Sequence, residues 1–432
     1  MFVSDCLNVN EKGHLTIGGC DTTELAQQFG TPAIVYDENE IRKNCAAFVS
    51  SIEENYGGNG LALYASKAFS CKEMYRIVNS EKMGVDVVSG GELYTALSVG
   101  FPADKIYFHG NNKKYDEIEY AVDSGVGRIV VDNLTELETL NKIAAEKGKK
   151  VGIMFRIKPG IDAHTHSFIR TGQIDSKFGL ALETGEAMHG VKEALKMENV
   201  ELKGLHCHIG SQIFDIDPFE LAAEVMLGFM KQINDETGVT LGELNLGGGF
   251  GIKYLTDDKP QPYTEYMRRV AGVIKAKADE LSLPVPFILI EPGRSVVGAA
   301  AVTLYTVGAV KNIPDVRTYV SIDGGMGDNP RYILYQSSYE VVCANRMNDE
   351  KTLTATVAGK CCESGDLIQE NVKLPEVKPG DTLAVLSTGA YNYSMASNYN
   401  RIPRPPVVMV KDGKARLIIK AESYEDLVRN DI

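Results

Sequence analysis

The chain has 432 residues, of which 44% are hydrophobic and 24% charged, and it carries a formal net charge of -13 at pH 7. Those proportions allow a large buried core without disulfide staples. The acidic excess argues against a nucleic-acid partner, so any phosphate bound here has to be gripped locally rather than by a basic surface.

Near the N-terminus, Asp21-Thr22-Thr23-Glu24 has capping-box spacing and opens a short helix, and Ala33–Tyr36 reads as a strand leading into a helix from Glu40 to Tyr56. From Leu61 to about residue 293, short apolar runs alternate with longer amphipathic segments, the pattern of βα units around a parallel sheet. The strand candidates are Leu61–Tyr64, Val85–Val88, Lys105–Phe108, Arg128–Val131, Gly152–Phe155, Leu202–Cys207, Leu244–Leu246 and Phe287–Ile290. Eight strands with interleaved helices predict a closed (β/α)8 barrel. The segment 157–180 is long, polar and punctuated by glycine, with His164, His166 and Lys177 in it, and reads as a mobile lid. After residue 295 the period changes to short β-type runs, ending in a hairpin turn at Lys411-Asp412-Gly413-Lys414. The expected organisation is therefore an N-terminal segment 1–34 contributing to a β domain, a barrel over 35–293, and a C-terminal β domain of sandwich or Greek-key type over 294–432.

Active sites of such barrels sit at the C-terminal ends of the strands. In order those ends carry Lys67, Asp86, His109, Asp132, Arg156, His208, the run Gly247-Gly248-Gly249 and Glu291. Lys67 closes the apolar run Leu61–Ala65, which predicts a lysine at the rim of a core, where burial favours the neutral, nucleophilic amine. A strand-end lysine that snorkels into water is the simpler alternative, and the run alone does not separate the two. The glycine run lets backbone N–H groups approach a phosphate, and Arg294 in Glu291-Pro292-Gly293-Arg294 offers a planar fork for a phosphate or carboxylate. Glu291 is a carboxylate suited to a pyridine nitrogen. His206 and His208 share a strand face and suit a divalent metal, yet a metal needs further ligands at other strand ends, and stacking of His208 on an aromatic cofactor needs none. No metal is expected. Cys361-Cys362-Glu363 reads as buried structural thiols or, alternatively, as a proton donor beside a substrate-binding carboxylate.

The eight cysteines contain no Cys-x-x-Cys pair, and Met1–Asn10 lacks both a basic and an apolar leader region. The longest uncharged run, Ser295–Val310, has 16 residues and is too short to span a bilayer. A cytoplasmic protein with no membrane association is expected.

Taken together, several motifs resemble the diaminopimelate decarboxylases, within the alanine racemase-like, fold type III pyridoxal-phosphate enzymes. They are Gly30-Thr31-Pro32, Tyr64-Ala65-Ser66-Lys67-Ala68, His109-Gly110-Asn111-Asn112-Lys113, Ser176-Lys177-Phe178-Gly179 and His206 through Gln212, followed by Gly247 through Gly251, Glu291 through Ser295, Asp323 through Met326, Cys362 through Asp366, Gly389-Ala390-Tyr391 and Tyr399-Asn400. The resemblance runs nearly end to end. It implies that Lys67 holds pyridoxal 5'-phosphate as a Schiff base, that His208 stacks on its ring, and that Glu291 pairs with the ring nitrogen, with Asp86 and Arg156 among the cofactor contacts. Ser211, Gly248, Gly249, Gly293, Arg294 and Tyr391 are implied around the phosphate. Arg294, Arg331, Tyr335, Glu363 and Tyr391 are implied for the substrate, meso-diaminopimelate, and Cys362 for reprotonation of the carbon that loses carbon dioxide. A head-to-tail homodimer with shared active sites is implied as well. Gly327 departs from the pattern, standing where relatives commonly carry Asn or Ser. Decarboxylases of ornithine, arginine or carboxynorspermidine are the related alternative, and Arg331 together with Glu363 favours a substrate ending in both an amine and a carboxylate.

Overall fold

The apolar runs between Leu61 and Ile290 form the strands of a parallel barrel in the computed structural model, which describes residues 2–161 and 175–432. In chain order the barrel strands are Gly60–Ala65, Gly84–Val87, Ile106–Phe108, Arg128–Val131, Val151–Lys158, Val200–Cys207, Glu243–Asn245 and Phe287–Ile290. Each pairs with the next, and the eighth closes on the first through Ile288 opposite Gly60 and Ile290 opposite Ala62. Leu63, Tyr107, Val130, Met154 and Leu289 pack together within the barrel, which explains why its strands read as apolar runs rather than as alternating patterns. A two-residue strand, Leu180–Ala181, adds to the edge of the fifth.

The loops leaving the strands are short because helix caps begin almost at once. Ser89 accepts from Glu92 N–H at the start of helix Gly90–Leu97, two residues beyond the second strand, and Asn133 accepts from Glu136 N–H at the start of helix Leu134–Glu146. Asp86 and Asp132 are thereby held between a sheet ladder and a capped helix.

The chain divides into two compact units: Met1–Asn44, Ile252–Lys259 and Arg294–Ile432 form one, Cys45–Gly251 and Pro260–Gly293 the other. The second unit is the barrel. In the first, the central strand Ala301–Ile313 pairs with Thr382–Leu386, Ala33–Asp37 and Arg317–Ile322. Val302 and Leu304 face one apolar cluster, Tyr305 and Val307 another, so the strand is buried on both sides. Strand Ala33–Asp37 belongs wholly to this sheet, since it also pairs in parallel with Val407–Lys411, so residues 35–37 sit with the β unit rather than with the barrel. Strand Leu367–Leu374 has no counterpart in the sequence reading, because Gln369-Glu370-Asn371 interrupts its apolar character; it pairs with Leu353–Ala358. Asp412 and Gly413 both have positive φ, 49° and 72°, as a two-residue hairpin turn of mirror-image type requires. The run Ser295–Val310 ends in this central strand, and among the described residues no helix is long and apolar enough to cross a membrane.

Candidate active site

Lys67 lies in a short 3-10 turn, Ser66–Ala68, directly after the first barrel strand, and its side chain is exposed. Burial at the core rim, the expectation drawn from the apolar run, is not what the fold provides, because the strand ends at Ala65 and the turn lifts the amine outward. The turn itself is anchored: Ser66 Oγ donates to the carbonyl of Asp86 at 2.6 Å and to Glu92 Oε2 at 2.9 Å, while Glu92 Oε2 accepts from Val88 N–H at 2.8 Å. Gly293 passes so close that an added Cβ would meet the Ala65 side chain at 2.9 Å, and Ala65 N–H donates to Pro292 O at 3.1 Å. The end of the eighth strand thus packs directly on the lysine turn.

Glu291 is the electrostatic centre of the barrel mouth. Its Oε1 accepts from Asn245 Nδ2 at 2.7 Å and lies 2.9 Å from His109 Nε2, and its Oε2 accepts from His206 Nε2 at 3.1 Å. The His109 contact is close but too poorly aligned to count as a hydrogen bond. Strand register brings the donors together, since His206 stands opposite Arg156 on the fifth strand and opposite Asn245 on the seventh. The two imidazoles meet edge to face with centroids 4.8 Å apart. Burial pushes a carboxyl toward its neutral form, yet the His109 and His206 contacts override it and hold Glu291 well below the usual carboxylate range. Burial wins at Asp86 and Asp132, whose carboxyls are both raised, even with His109 and Lys67 near the former and Arg156 near the latter. The site therefore selects one of its carboxylates as the anion. His109, His206 and Glu291 bring ligand-type atoms within 4.8 Å of one another, a different set from the His206 and His208 pair weighed as a metal site.

His208 follows the sixth strand. Its Nδ1 accepts from Gly248 N–H at 3.3 Å, so a neutral ring carries its proton on Nε2. Burial, with Lys67 and Arg156 nearby, drives the His208 imidazole well below its ordinary value. The ring is consequently a neutral plate of fixed orientation. Two N–H groups of the glycine run are already used, Gly248 on His208 and Gly247 on Asn245 Oδ1 at 2.9 Å, which is a narrower phosphate cradle than the sequence predicts. Gly249, at φ 113°, also admits only glycine, since an added Cβ would lie 2.6 Å from Gly210 O, as it would lie 2.6 Å from Cys207 O at Gly247 and 2.1 Å from Glu291 O at Gly248. Ser211 is half-buried in the adjoining loop. Arg156 is covered by Phe178, with the guanidinium carbon 4.2 Å from the ring centroid. Lys177 is exposed beside the same ring; His164 and His166, and most of the expected lid, lie outside the described residues.

The first unit holds a second cluster. Arg294 donates to the Tyr254 hydroxyl, and its guanidinium carbon lies 4.8 Å from the Tyr391 ring centroid. Arg331 lies 5.6 Å from the same ring and 5.3 Å from that of Tyr335. Both arginines are buried. Arg331 donates to Ser337 Oγ at 3.3 Å, its Nε has no hydrogen-bond partner, and no carboxylate pairs with it among the described residues. Tyr391 adopts φ 65°, an uncommon left-handed conformation for a bulky residue. Elsewhere in this unit the Cys362–Gly365 turn is exposed and gripped at both flanks: Asp366 accepts from Met326 N–H at 2.6 Å and Cys361 N–H at 2.7 Å, and Cys362 N–H donates to Asn400 Oδ1 at 2.7 Å. Cys361 is buried while Cys362 and Glu363 are exposed, so the two adjacent cysteines do not share one environment. A side chain at Gly327 would reach no closer than 3.4 Å to Ser397 O, so no steric demand explains glycine there.

Sequence reasoning missed Asn245 altogether and gave His109 and His206 no role at Glu291. A signal existed: an amide inside the apolar run Leu244–Leu246 has to find a partner once buried. What could not be read is which carboxylate it meets, because that depends on strand register.

A family described as pyridoxal-dependent decarboxylase, pyridoxal binding domain, matches residues 38–298. The chain is 48% identical over its full length to the diaminopimelate decarboxylase of Bacillus subtilis (strain 168), covering 98% of that protein. It is 50% identical, again over its full length and 98% of the relative, to the diaminopimelate decarboxylase of Halalkalibacterium halodurans. Among solved structures, the diaminopimelate decarboxylase from M. jannaschii in complex with L-lysine superposes with a TM-score of 0.92 at 36% identity, covering 100% of this chain and 99% of that one.

Proposed function

The chain belongs to the diaminopimelate decarboxylase family of pyridoxal-dependent decarboxylases, and from that premise we propose that it converts meso-2,6-diaminopimelate to L-lysine and carbon dioxide, the last step of lysine biosynthesis, with pyridoxal 5'-phosphate as cofactor. The observation that carries the reading is the Glu291 carboxylate, bound by His206 and Asn245 in a buried barrel mouth, with the His208 ring held by Gly248 N–H on the strand end that follows His206. An anion there matches a protonated pyridine nitrogen, and a flat neutral imidazole matches the face of a conjugated ring. When bound, the cofactor supplies an electron sink for the pair left behind by departing carbon dioxide.

The remaining roles fall to this chain's own side chains. Lys67, an exposed amine on an anchored turn, would be the group that holds the cofactor aldehyde. Glu291 would accept from the protonated ring nitrogen, His208 would orient the ring, and Asp86 and Arg156 would line the same mouth. Ser211, Gly248, Gly249, Gly293, Arg294 and Tyr391 are assigned to the phosphate, with Gly249 the backbone approach best suited to it. Arg331, with Arg294, Tyr335 and Tyr391, receives a substrate carboxylate, for which its lack of a carboxylate partner is the support. Glu363 takes the distal amine, and Cys362 delivers a proton to the carbon that loses carbon dioxide. The exposed Cys362–Glu363 turn fits a homodimer in which it serves the neighbouring copy. Eight free cysteines fit a reducing, cytoplasmic location.

The test is direct. Purified protein with pyridoxal phosphate is incubated separately with meso-diaminopimelate, ornithine and arginine, and released carbon dioxide is measured. Release from diaminopimelate alone is expected; release from ornithine or arginine alone would replace this substrate with a diamine precursor.

A further inference from the structure

We propose that His206 is a positioning residue for the reaction: its Nε2–H, together with the Asn245 amide, fixes the Glu291 carboxylate as an anion with an acceptor position left open on Oε2. The proposal deepens the reading of Glu291 as partner of the cofactor's ring nitrogen and rests on it.

A carboxylate removed from water takes up a proton unless donors compensate its charge. Glu291 is 7% exposed, and the groups facing it can be enumerated by strand. Asp86 on the second strand is a like charge and works against ionisation. His109 follows the third strand, and Arg156 on the fifth is a cation within electrostatic reach. His206, Cys207 and His208 come from the sixth strand, Asn245 from the seventh. Among these, His206 is the donor at Oε2, while Asn245 and His109 share Oε1. A carboxylate offers about four lone-pair positions. Two are engaged by the His206 and Asn245 hydrogen bonds, His109 crowds the second position on Oε1, and the second position on Oε2 stays open on the oxygen that His206 holds.

The His206 ring serves this one bond. It is 1% exposed, and its Nδ1 has no partner among the described residues. Burying a bare ring nitrogen is unfavourable, and a phenylalanine or leucine would fill the same space without that cost. The compensating feature is the opposite nitrogen. Because Glu291 can only accept, the neutral imidazole must carry its proton on Nε2, which makes the bare Nδ1 a necessary consequence of the bond.

The experiment compares His206→Leu with His206→Gln, whose longer amide can reach Oε2. The first readout is the carbon-13 carboxyl titration of Glu291 in cofactor-free protein, with its resonance identified by Glu291→Gln. The second is the pH profile of kcat in the loaded enzyme. His206→Leu is expected to raise the Glu291 titration midpoint by about one unit or more. It should lower kcat by about tenfold to hundredfold, as loss of a partner that orients a site group commonly does, with the acid limb of kcat moving upward and KM little changed. His206→Gln should restore most of both. An unchanged Glu291 titration in His206→Leu, or a Gln variant no better than the Leu variant, overturns the proposal. Should His206→Leu fail to fold, His206→Asn, whose amide falls short of Oε2, takes its place with the same expectations. Failure of the underlying reading is separable: there Glu291→Gln would leave kcat unchanged, while the cofactor-free titration still reports whether His206 holds the carboxylate.

Discussion

The two charged clusters of this chain solve opposite problems. At the barrel mouth two buried charges have polar partners of their own: Glu291 lies among imidazoles and an amide, and Lys113 pairs with Glu136 at 2.6 Å behind the third and fourth strand ends. In the β unit, Arg331 is buried among Tyr335, Tyr391 and a serine hydroxyl, with no carboxylate beside it among the described residues. A balanced cluster is stable as it stands and presents a defined charge to whatever enters. An unbalanced one is held in place by the surrounding packing and gains most when an anion arrives. The barrel cluster is thus suited to fixing the state of a resident group, and the arginine cluster to selecting a transient one.

The comparison can be broken most decisively at Lys67. Lys67→Ala is expected to abolish turnover and to remove the borohydride-trapped pyridoxyl label from the peptide that carries this position; label retained elsewhere would move the chemical centre away from the first strand. Next, Glu136→Ala leaves Lys113 buried without its partner and should cost about 3–5 kcal/mol in urea unfolding, with a loss under about 1 kcal/mol contradicting the balanced-charge description. Arg331→Met is the converse. Because it removes a charge that has no counter-ion, stability should stay within about 1 kcal/mol of the parent or rise. KM for diaminopimelate should nevertheless rise roughly 30-fold or more, equivalent to losing about 2 kcal/mol of a buried charge-assisted contact. Marked destabilisation would reveal an anionic partner for Arg331 in the free protein.

The smallest effects lie in pH, where the two units differ in sign. Burial lowers His206 from 6.5 to about 4, so between those values the unfolded chain binds a proton that the fold refuses, and stability falls as pH drops through that window. Asp328, buried with its carboxyl accepting from Gly325 N–H at 2.9 Å and from the Tyr305 hydroxyl, is raised from 3.8 to about 7. Its contribution is fully present below 3.8 and is lost as pH rises through about 7. Asp328→Asn should therefore flatten the decline in melting temperature between about pH 4 and about pH 7, whereas His206→Gln removes an opposing rise in the overlapping window of about pH 4 to 6.5 and should steepen the net decline there. A steeper decline in Asp328→Asn would contradict the assignment.

Much of the fold was legible because its strands are buried on both faces. Apolar runs such as Phe287–Ile290 and Arg128–Val131 coincide with strands to the residue, and Asp21 caps helix Thr22–Phe29 by accepting from Thr23 and Glu24 N–H. Strand Leu367–Leu374 was not legible, because it carries polar residues where one side is open to water. Lys67 shows the limit of local reading. Its apolar approach suggested burial, but the turn that begins at Ser66 is set by hydrogen bonds to Asp86 and Glu92, which lie 20 and 26 residues away.

By itself, the sequence determined the alternation of strands and helices, the strand-end positions of Lys67, Asp86, Arg156, His208 and Glu291, and the motifs that name the family, since each depends on residue type and short-range spacing. Only tertiary structure decided the charge states. Glu291 is an anion and Asp86 and Asp132 tend to neutrality because barrel closure and strand register deliver His109, His206 and Asn245 to one carboxylate and leave the others to burial. Electrostatic energy depends on separations of a few ångströms between residues far apart in the chain, and those distances are a property of the closed barrel.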